Sequence, residues 1–332
     1  MLILQLLLII YFFVENDSFI LKSNKKRFTY VTKTQISDFT YSWDYTSKFL
    51  KDKARSWFIK RATDIGIDWE GYIEKYSNEE SFDKIKLHKF MLENKTITYP
   101  EYYVKPFHGY DEGNLNWDAA LEGEGATISM SVNYWKNNNP KISESWLRNN
   151  FTNNIINYKN NNNFKNILDI GCSVGISTEH LKNNLKNEKL YGLDLSPYFI
   201  ALATYRSNMK RKGISFFHNN AEEMAFEDNS FDLITVQFMF HEMPLKATNN
   251  VFKEIKRVLK PGGTCAIIDL DSERLLTSLN GNYFRKWAFE VTEPHVFEYY
   301  NTNLVNIMKN QGFKNIFKTN NDPMNSVWLG TN

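Results

Sequence analysis

Short apolar segments alternate with helical segments through the second half of the chain, and this alternation limits the possible folds more than any other feature. Alternating strands and helices form a parallel sheet with crossover helices. The pattern therefore predicts a doubly wound α/β sheet, which binds ligands at the carboxyl ends of its strands. The predicted strands are Asn166–Ile170, Lys189–Leu195, Ile214–His218, Phe231–Phe240, Thr264–Leu270, Asn315–Lys318 and Ser326–Leu329. The predicted helices are Gly175–Leu185, Pro197–Arg211, Val251–Leu259 and Leu304–Lys309.

The preceding part of the chain has a different pattern. Apolar residues recur at helical spacing between Tyr45 and Tyr76, and Phe82–Leu92 and Ser143–Tyr158 also have a helical pattern. Between these helices, Tyr99–Trp117 combines aromatic residues with Pro and Gly, which is typical of a loop with a high apolar content. Two interpretations remain open: the aromatic side chains fix a long loop onto the protein body, or part of the loop covers a ligand pocket.

The first 33 residues resemble a targeting segment. Met1–Val14 is almost entirely apolar, but it is shorter than the roughly 20 residues of a membrane-spanning helix. The following Asn16–Lys33 is basic and contains a single acidic residue. An apolar leader followed by a basic stretch predicts a secretory signal with onward transport to a plastid of the apicoplast type. The alternatives are a membrane tether formed by residues 1–14 and a cytoplasmic protein; we expect no stable membrane span in the mature chain.

Length and charge narrow the classes of protein further. With 332 residues, the chain is long for a single domain, and we predict a targeting segment 1–33, a mainly helical accessory region 34–148 and an α/β domain 149–332. The run Asn160–Asn163 is the predicted linker.

Forty Lys and Arg residues against 38 Asp and Glu residues argue against a nucleic-acid partner. Cys172 and Cys265 cannot form a disulfide framework, and the sequence indicates no metal site.

The first predicted strand of the α/β domain ends in a glycine-containing loop, Asp169-Ile170-Gly171-Cys172-Ser173-Val174-Gly175. Glycine allows a sharp turn and a close approach of the backbone to a ligand. In the dinucleotide fingerprint G-x-G-x-x-G, however, Ser173 and Ile176 would occupy two of the three glycine positions. The loop therefore argues against a pyrophosphate site.

Other motifs of the domain make the pattern specific. Asp194 ends the second predicted strand, where a carboxylate can accept both hydroxyls of a ribose. Together with the glycine loop, Phe231–Ile234 and Arg257–Gly263, this region from about Asn149 to Asn332 resembles the class I S-adenosylmethionine-dependent methyltransferases, near the quinone-biosynthesis branch. The resemblance implies a Rossmann-like seven-stranded sheet with its last strand antiparallel. The helical first half, including Tyr110–Trp117, resembles a plastid and cyanobacterial subgroup of these enzymes.

The resemblance also implies the cofactor, S-adenosylmethionine, and the residues that bind it. Gly171 and Gly175 would border its methionine part, and Asp194 would hold the ribose. Leu195 would pack beside the adenine, whose edge Glu222 would approach, and Asp169 would fix the loop through backbone and water contacts. The complete implied set is Asp169, Gly171, Cys172, Ser173, Gly175, Asp194, Leu195, Ala221, Glu222 and Gln237.

The segment after the fourth predicted strand faces the methyl group in this family. There His241 is a candidate general base, which Glu242 could orient; alternatively, His241 only packs beside the cofactor, because methyl transfer depends mainly on alignment. The acceptor pocket would include Leu275–Tyr300 with its aromatic residues, which favours a small apolar or aromatic acceptor. The alternatives are a non-catalytic cofactor-binding or scaffold protein of the same fold, and a protein methyltransferase. The aromatic residues of that segment are Trp287, Phe289, Phe297 and Tyr299.

Overall fold

The computed structural model describes residues 55–56, 59–106, 110–132, 139–280 and 295–332. All of them belong to one compact unit, Lys51–Asn332. The predicted targeting segment 1–33 lies outside the described residues, as do Trp287 and Phe289 of the predicted acceptor segment. Within the described residues, no helix has both the length and the apolar character needed to span a membrane.

The helices and strands follow one another in the order that the alternating pattern predicts. The helices are α1 Trp69–Ser77, α2 Glu79–Leu92, α3 Trp117–Val132, α4 Pro140–Lys159, α5 Ile176–Asn184, α6 Pro197–Met209, α7 Leu245–Val258, α8 Ser272–Leu279, α9 Val296–Tyr300 and α10 Leu304–Asn310. The strands are β1 Asn163–Ile170, β2 Lys186–Asp194, β3 Ser215–His218, β4 Phe231–Gln237, β5 Leu259–Leu270, β6 Lys314–Asn320 and β7 Asn325–Thr331.

The seven strands form one sheet in the order β3-β2-β1-β4-β5-β7-β6. Strands β1 to β5 pair in parallel, whereas β7 is antiparallel to both of its neighbours, β5 and β6. The predicted fold class is therefore confirmed, including the antiparallel last strand. Because β1 lies between β2 and β4, the strand order reverses beside β1, and the carboxyl ends of these three strands meet at one edge of the sheet.

The strand boundaries differ from the prediction by a few residues, and two of these differences change the structure of a motif. Strand β4 ends at Gln237, and Phe240–Glu242 forms a short 3-10 turn instead of continuing the strand. Strand β5 begins at Leu259, so that Lys260–Gly263 lies within the strand, where the pairing register with β4 shifts. Pro261, Gly262 and Gly263 therefore form an irregularity within the sheet and not a separate turn before the strand.

Helix α3 is the main element that the sequence analysis missed. Its two glycines lower helix propensity, but they allow close packing. A Cβ atom on Gly123 would lie 3.1 Å from a methyl carbon of Val174 in the glycine loop, and one on Gly125 would lie 3.1 Å from the Trp69 ring. Tertiary packing thus outweighs propensity, and α3 lies directly against the glycine loop.

The predicted linker Asn160–Asn163 is a tight, ordered connection. Asn160 takes the left-handed conformation at the end of α4, and β1 begins three residues later at Asn163. Asparagine tolerates this conformation, which explains its use there. Helix α4 itself crosses the predicted domain boundary between residues 148 and 149, so the division into 34–148 and 149–332 stays a prediction.

Candidate functional site

The loop after β1 turns sharply over the end of β2. The backbone N–H groups of Gly171 and Cys172 both donate to the carbonyl oxygen of Leu193, at 2.8 and 3.0 Å. Gly171 and Ser173 have φ values of +68° and +48°. A residue with a side chain is strained in this left-handed region, which explains why position 171 is a glycine. The Cys172 side chain is buried, and burial raises the pKa of its thiol well above the usual value.

Gly175 has a packing role in the structure. It precedes α5 with a φ of +81°, and its N–H donates to the carbonyl of Cys172 at 2.9 Å. A Cβ atom there would lie 2.9 Å from the Phe216 ring and 3.1 Å from the Ala203 side chain. Gly175 therefore lets the loop pack closely against the core between α6 and β3.

Asp169 is fully buried beneath the loop. Its carboxylate accepts hydrogen bonds from the hydroxyls of Ser177, Thr178 and Thr235, at 2.7, 2.8 and 2.7 Å. Burial raises the pKa of Asp169, and these three hydrogen bonds oppose that rise. These side-chain hydroxyls join Asp169 on β1 to α5 and β4.

Asp194 occupies the end of β2 beside the loop. One carboxylate oxygen accepts the N–H of Ser173 and the other accepts the N–H of Ser196, both at 2.8 Å. Burial raises the pKa of this carboxyl group to about 6. Each oxygen of a carboxylate can accept two hydrogen bonds, so this arrangement fixes the group and retains capacity for two further donors.

The turn after β3 brings Ala221 and Glu222 to the same edge. The Asn219 N–H donates to the Asp194 carbonyl at 3.0 Å, which places this turn beside the end of β2. Ala221 is buried, whereas the Glu222 carboxylate accepts hydrogen bonds from the Tyr102 hydroxyl at 2.8 Å and the Asn250 amide at 2.9 Å. Glu222 thus connects the aromatic segment to this edge of the sheet.

Residues 94–106, which we call the cover, lie across these strand ends. His218, the last residue of β3, contacts the Asn94 N–H through Nδ1 at 2.9 Å and the Tyr99 hydroxyl through Nε2 at 3.2 Å. The same Nε2 lies 3.0 Å from the carbonyl oxygen of Leu195, the residue expected beside the adenine. Burial lowers the pKa of His218, which favours the neutral ring that accepts the Asn94 N–H. These contacts fix this part of the aromatic loop onto the protein body at the strand ends.

Tyr103 is a second tyrosine of the cover that packs on Tyr99. Its ring stacks on that of Tyr99, with 6.2 Å between centroids and 8° between planes. Burial, followed by the charges of Asp194 and Glu242, raises the pKa of Tyr103 well above its usual value. The phenol of Tyr103 therefore lies near two carboxylates, Asp194 at the end of β2 and Glu242 in the turn after β4. Because its pKa is raised, the phenol stays protonated.

Arg148 is a buried cation at this edge that the sequence analysis missed. Its Nη1 donates to the Gln237 side-chain oxygen at 2.6 Å, and Gln237 in turn donates to Asp169 at 3.4 Å. Its Nε lies 3.2 Å from Glu144, one helical turn away. In the sequence this spacing resembles an ordinary exposed ion pair on α4, which is why the residue was overlooked.

His241 is oriented by an aspartate that the sequence analysis also missed. Its Nδ1 lies 2.6 Å from the Asp269 carboxylate, which is fully buried at the end of β5. The predicted partner, Glu242, lies 3.9 Å from the other ring nitrogen, Nε2. In the predicted acceptor segment, Tyr299 is buried with its ring 6.1 Å from that of His241, whereas Phe297 is exposed.

Comparison with known proteins relates part of this arrangement to one family. The sequence pattern of a family described as a methyltransferase domain matches residues 168–267. The matched part begins within β1 and ends within β5. The chain is 30% identical to a demethylmenaquinone methyltransferase of Oceanobacillus iheyensis over 119 residues, which are 35% of this chain and 49% of that protein. The corresponding protein of Lactococcus lactis subsp. lactis is 36% identical over 105 residues, 31% of this chain and 41% of the relative.

The match is confined to part of the molecule. The chain spans about half the length of the curated relatives it matches. A solved SAM-dependent methyltransferase from Aquifex aeolicus is similar with 19% identity and a TM-score of 0.41, over 56% of this chain and 92% of that one. The residues of the cover precede the part matched by the family pattern.

The residues at this edge of the sheet fit S-adenosylmethionine, the cofactor that the sequence resemblance implies. The cofactor contains no phosphate, and the glycine loop is held against β2 by its own backbone rather than shaped around a pyrophosphate. Asp194 presents a fixed carboxylate for two ribose hydroxyls. Arg148 supplies a buried cation suited to the carboxylate of the methionine part.

Proposed function

We propose that the chain transfers a methyl group from S-adenosylmethionine to a small apolar or aromatic acceptor. The observation that carries the proposal is Asp194, a buried carboxylate anchored at both oxygens by backbone N–H groups beside the glycine loop. The cofactor, when bound, supplies an electrophilic methyl group on a sulfonium. Asp194 binds the ribose, the Gly171–Gly175 loop borders the methionine part, and Arg148 pairs with its carboxylate.

The aromatic content of the site supports an apolar or planar acceptor. Tyr99 and Tyr103 of the cover and Tyr299 of α9 bring three rings to the carboxyl edge of the sheet. Aromatic side chains with few polar groups are typical of pockets for such ligands. The relatives named as demethylmenaquinone methyltransferases are consistent with this class of acceptor.

Calorimetric titration of S-adenosylmethionine and S-adenosylhomocysteine into the full chain tests the proposal. We expect micromolar binding of both and at least a tenfold weaker affinity in Asp194→Ala, about 1.4 kcal/mol for the lost charge-assisted contacts. Asp228→Ala is the matched control, because that carboxylate is exposed and pairs with Arg257. An unchanged affinity in folded Asp194→Ala would contradict the ribose site, and no binding to the wild-type chain would favour the non-catalytic scaffold.

The location of the activity is a separate proposal. The apolar Met1–Val14 and the basic Asn16–Lys33 support secretory targeting followed by import into a plastid. Fusion of residues 1–33 to a fluorescent protein tests this in a plastid-bearing cell. Fluorescence that stays on the endomembranes would instead support the membrane tether.

A further inference from the structure

We infer that helix α3 sets the position of the glycine loop and of the ribose carboxylate Asp194, with Gly123 as the positioning residue. The inference rests on the proposed function. It assigns part of the cofactor affinity to a helix, Trp117–Val132, that precedes the residues 168–267 matched by the family pattern. Its basis is a pair of contacts through which residues 114–123 hold both sides of Asp194.

The first contact joins α3 to the glycine loop. A Cβ atom at position 123 would lie 3.1 Å from each of the two γ-carbons of Val174. This separation is shorter than an ordinary van der Waals contact, so a side chain there would push Val174 away. Val174 is almost fully buried in a core cluster with Ala120 and Leu121 of α3 and Phe199 of α6. Because a packed core leaves little free space, the displacement would reach the loop backbone.

The loop backbone next to Val174 holds Asp194. Ser173, the preceding residue, has a φ of +48°, and its N–H donates to one Asp194 carboxylate oxygen at 2.8 Å. Only one peptide unit separates Val174 from this hydrogen bond, so a shift of Val174 changes its length and direction. Gly123 therefore acts on the ribose carboxylate through the loop.

The second contact joins the segment before α3 to the other side of Asp194. The Ser196 N–H donates to the second carboxylate oxygen at 2.8 Å, and the Ser196 hydroxyl donates to the Asn114 carbonyl oxygen at 2.7 Å. The hydrogen bonds from Ser173 and Ser196 thus both depend on where residues 114–123 lie. One short part of the chain therefore fixes the carboxylate from two sides.

A buried ionic cluster keeps α3 in place. Arg206 of α6 is 3% exposed; it pairs with Glu124 of α3, and its Nε lies 3.3 Å from Glu179 of α5. The Tyr76 hydroxyl of α1 donates to Glu124 at 2.6 Å and accepts from Arg206 at 2.8 Å. Separating a buried cation from its carboxylate is strongly destabilising, so α3 is held against the helices that follow β1 and β2. A side chain at position 123 therefore displaces the loop and not the helix.

Calorimetric titration of S-adenosylhomocysteine into the full chain tests the inference through a double-mutant cycle. We expect Gly123→Ala to bind the ligand about fivefold more weakly than wild type. In a Val174→Ala background, the methyl groups that meet the new side chain are absent, and Gly123→Ala should change the affinity by less than about twofold. Equal losses in both backgrounds, or no loss in the first, would overturn the inference.

Gly125→Ala is the matched control on the same helix. The nearest atoms to a Cβ atom at position 125 belong to the Trp69 ring, at 3.1 Å, and not to the glycine loop. Both substitutions raise helix propensity to the same extent. We expect Gly125→Ala to keep its affinity within about twofold of wild type, whatever the change in its free energy of unfolding in urea. A loss of affinity as large as that of Gly123→Ala would show that α3 acts only through overall stability, which would also overturn the inference.

Val174→Ile approaches the same contact from the loop, so the test stands even if Gly123→Ala does not fold. It enlarges a side chain whose two γ-carbons both lie against position 123, and it should weaken S-adenosylhomocysteine binding about threefold. An unchanged affinity in folded Val174→Ile would contradict the role of this contact. The failure of the proposed function is distinguishable, because the wild-type chain itself would then not bind the ligand.

Discussion

The two halves of the candidate site are built in different ways. The cofactor half lies at the ends of β1 and β2, and its defining contacts join backbone groups and carboxylates within residues 169–196. The acceptor half lies at the ends of β4 and β5 and under the cover, and it combines side chains from residues 94–106, 239–242, 269 and 299. The first half depends on local backbone geometry, whereas the second depends on the whole fold being correct.

The largest effect should come from Gly175 of the glycine loop, since a side chain there would meet both backbone strain and close neighbours. Gly175→Ala should lower the free energy of unfolding by about 2–4 kcal/mol, because it adds a clash with Phe216 and Ala203 to the left-handed strain. Gly213→Ala is the matched control: Gly213 also has a positive φ, but a Cβ atom there has nothing within 4 Å, so we expect about 1 kcal/mol. Urea unfolding measures both, and equal losses would show that packing does not determine the role of Gly175.

The next prediction separates the two aspartates of the cofactor half. Asp169→Ala leaves the hydroxyls of Ser177, Thr178 and Thr235 without their common acceptor, and it should cost about 2 kcal/mol of unfolding free energy. The affinity for S-adenosylhomocysteine should fall less than in Asp194→Ala. Urea unfolding and calorimetry on both variants check this. A larger loss of affinity in Asp169→Ala would place that residue in direct contact with the cofactor.

The contrast between the halves also explains what the sequence could predict. The succession of strands and helices along the chain, the glycine loop and the position of Asp194 at a strand end follow from short motifs, because strand ends and tight turns need particular residues at fixed spacing. The helical segments Phe82–Leu92 and Ser143–Tyr158 likewise follow from local periodicity. Such features depend on near neighbours in the chain, so one sequence contains enough information to find them.

The missed features depend on contacts between distant residues. Asp269 is the penultimate residue of an apolar strand, and only the pairing of β5 with β4 brings it to His241. Arg148 lies 89 positions from Gln237, to which it donates. Helix α3 contains glycines that lower its helix propensity. Their reason lies in distant parts of the chain, because Val174 and Trp69 pack so closely against them that a side chain would not fit. For Asp269, the one signal in the sequence was its position, because it is an aspartate that follows an apolar run at the end of a predicted strand.

The third prediction uses pH to examine Asp194. Its pKa is raised by burial from 3.8 to about 6, and the ionised form accepts the ribose hydroxyls. Affinity for S-adenosylhomocysteine should therefore be constant above pH 7 and fall below pH 6, by up to tenfold per unit. The stability of the ligand-free protein changes in the opposite direction. Its free energy of unfolding should fall as the pH rises from about 4 to 6, because the folded state retains the Asp194 proton to a higher pH than the unfolded state does.

Calorimetry of S-adenosylhomocysteine between pH 5 and 8 measures this dependence. Asp194→Asn is the control, because an amide does not titrate and its weaker affinity should not change through pH 6. A wild-type affinity that is flat over this range would mean that Asp194 binds no hydroxyl donor of the ligand. A pH dependence that persists in Asp194→Asn would assign it to another group.

The smallest expected effect concerns the cover, and it tests whether the acceptor half opens independently of the cofactor half. Tyr102→Phe removes the hydroxyl that donates to Glu222 but leaves the ring against the core, at a cost of about 1 kcal/mol. Amide hydrogen exchange in residues 94–106 should become about fivefold faster, with the glycine loop unchanged. Tyr158→Phe is the control, since that hydroxyl donates to Asn315. Faster exchange in both segments would mean that the two halves open as one unit.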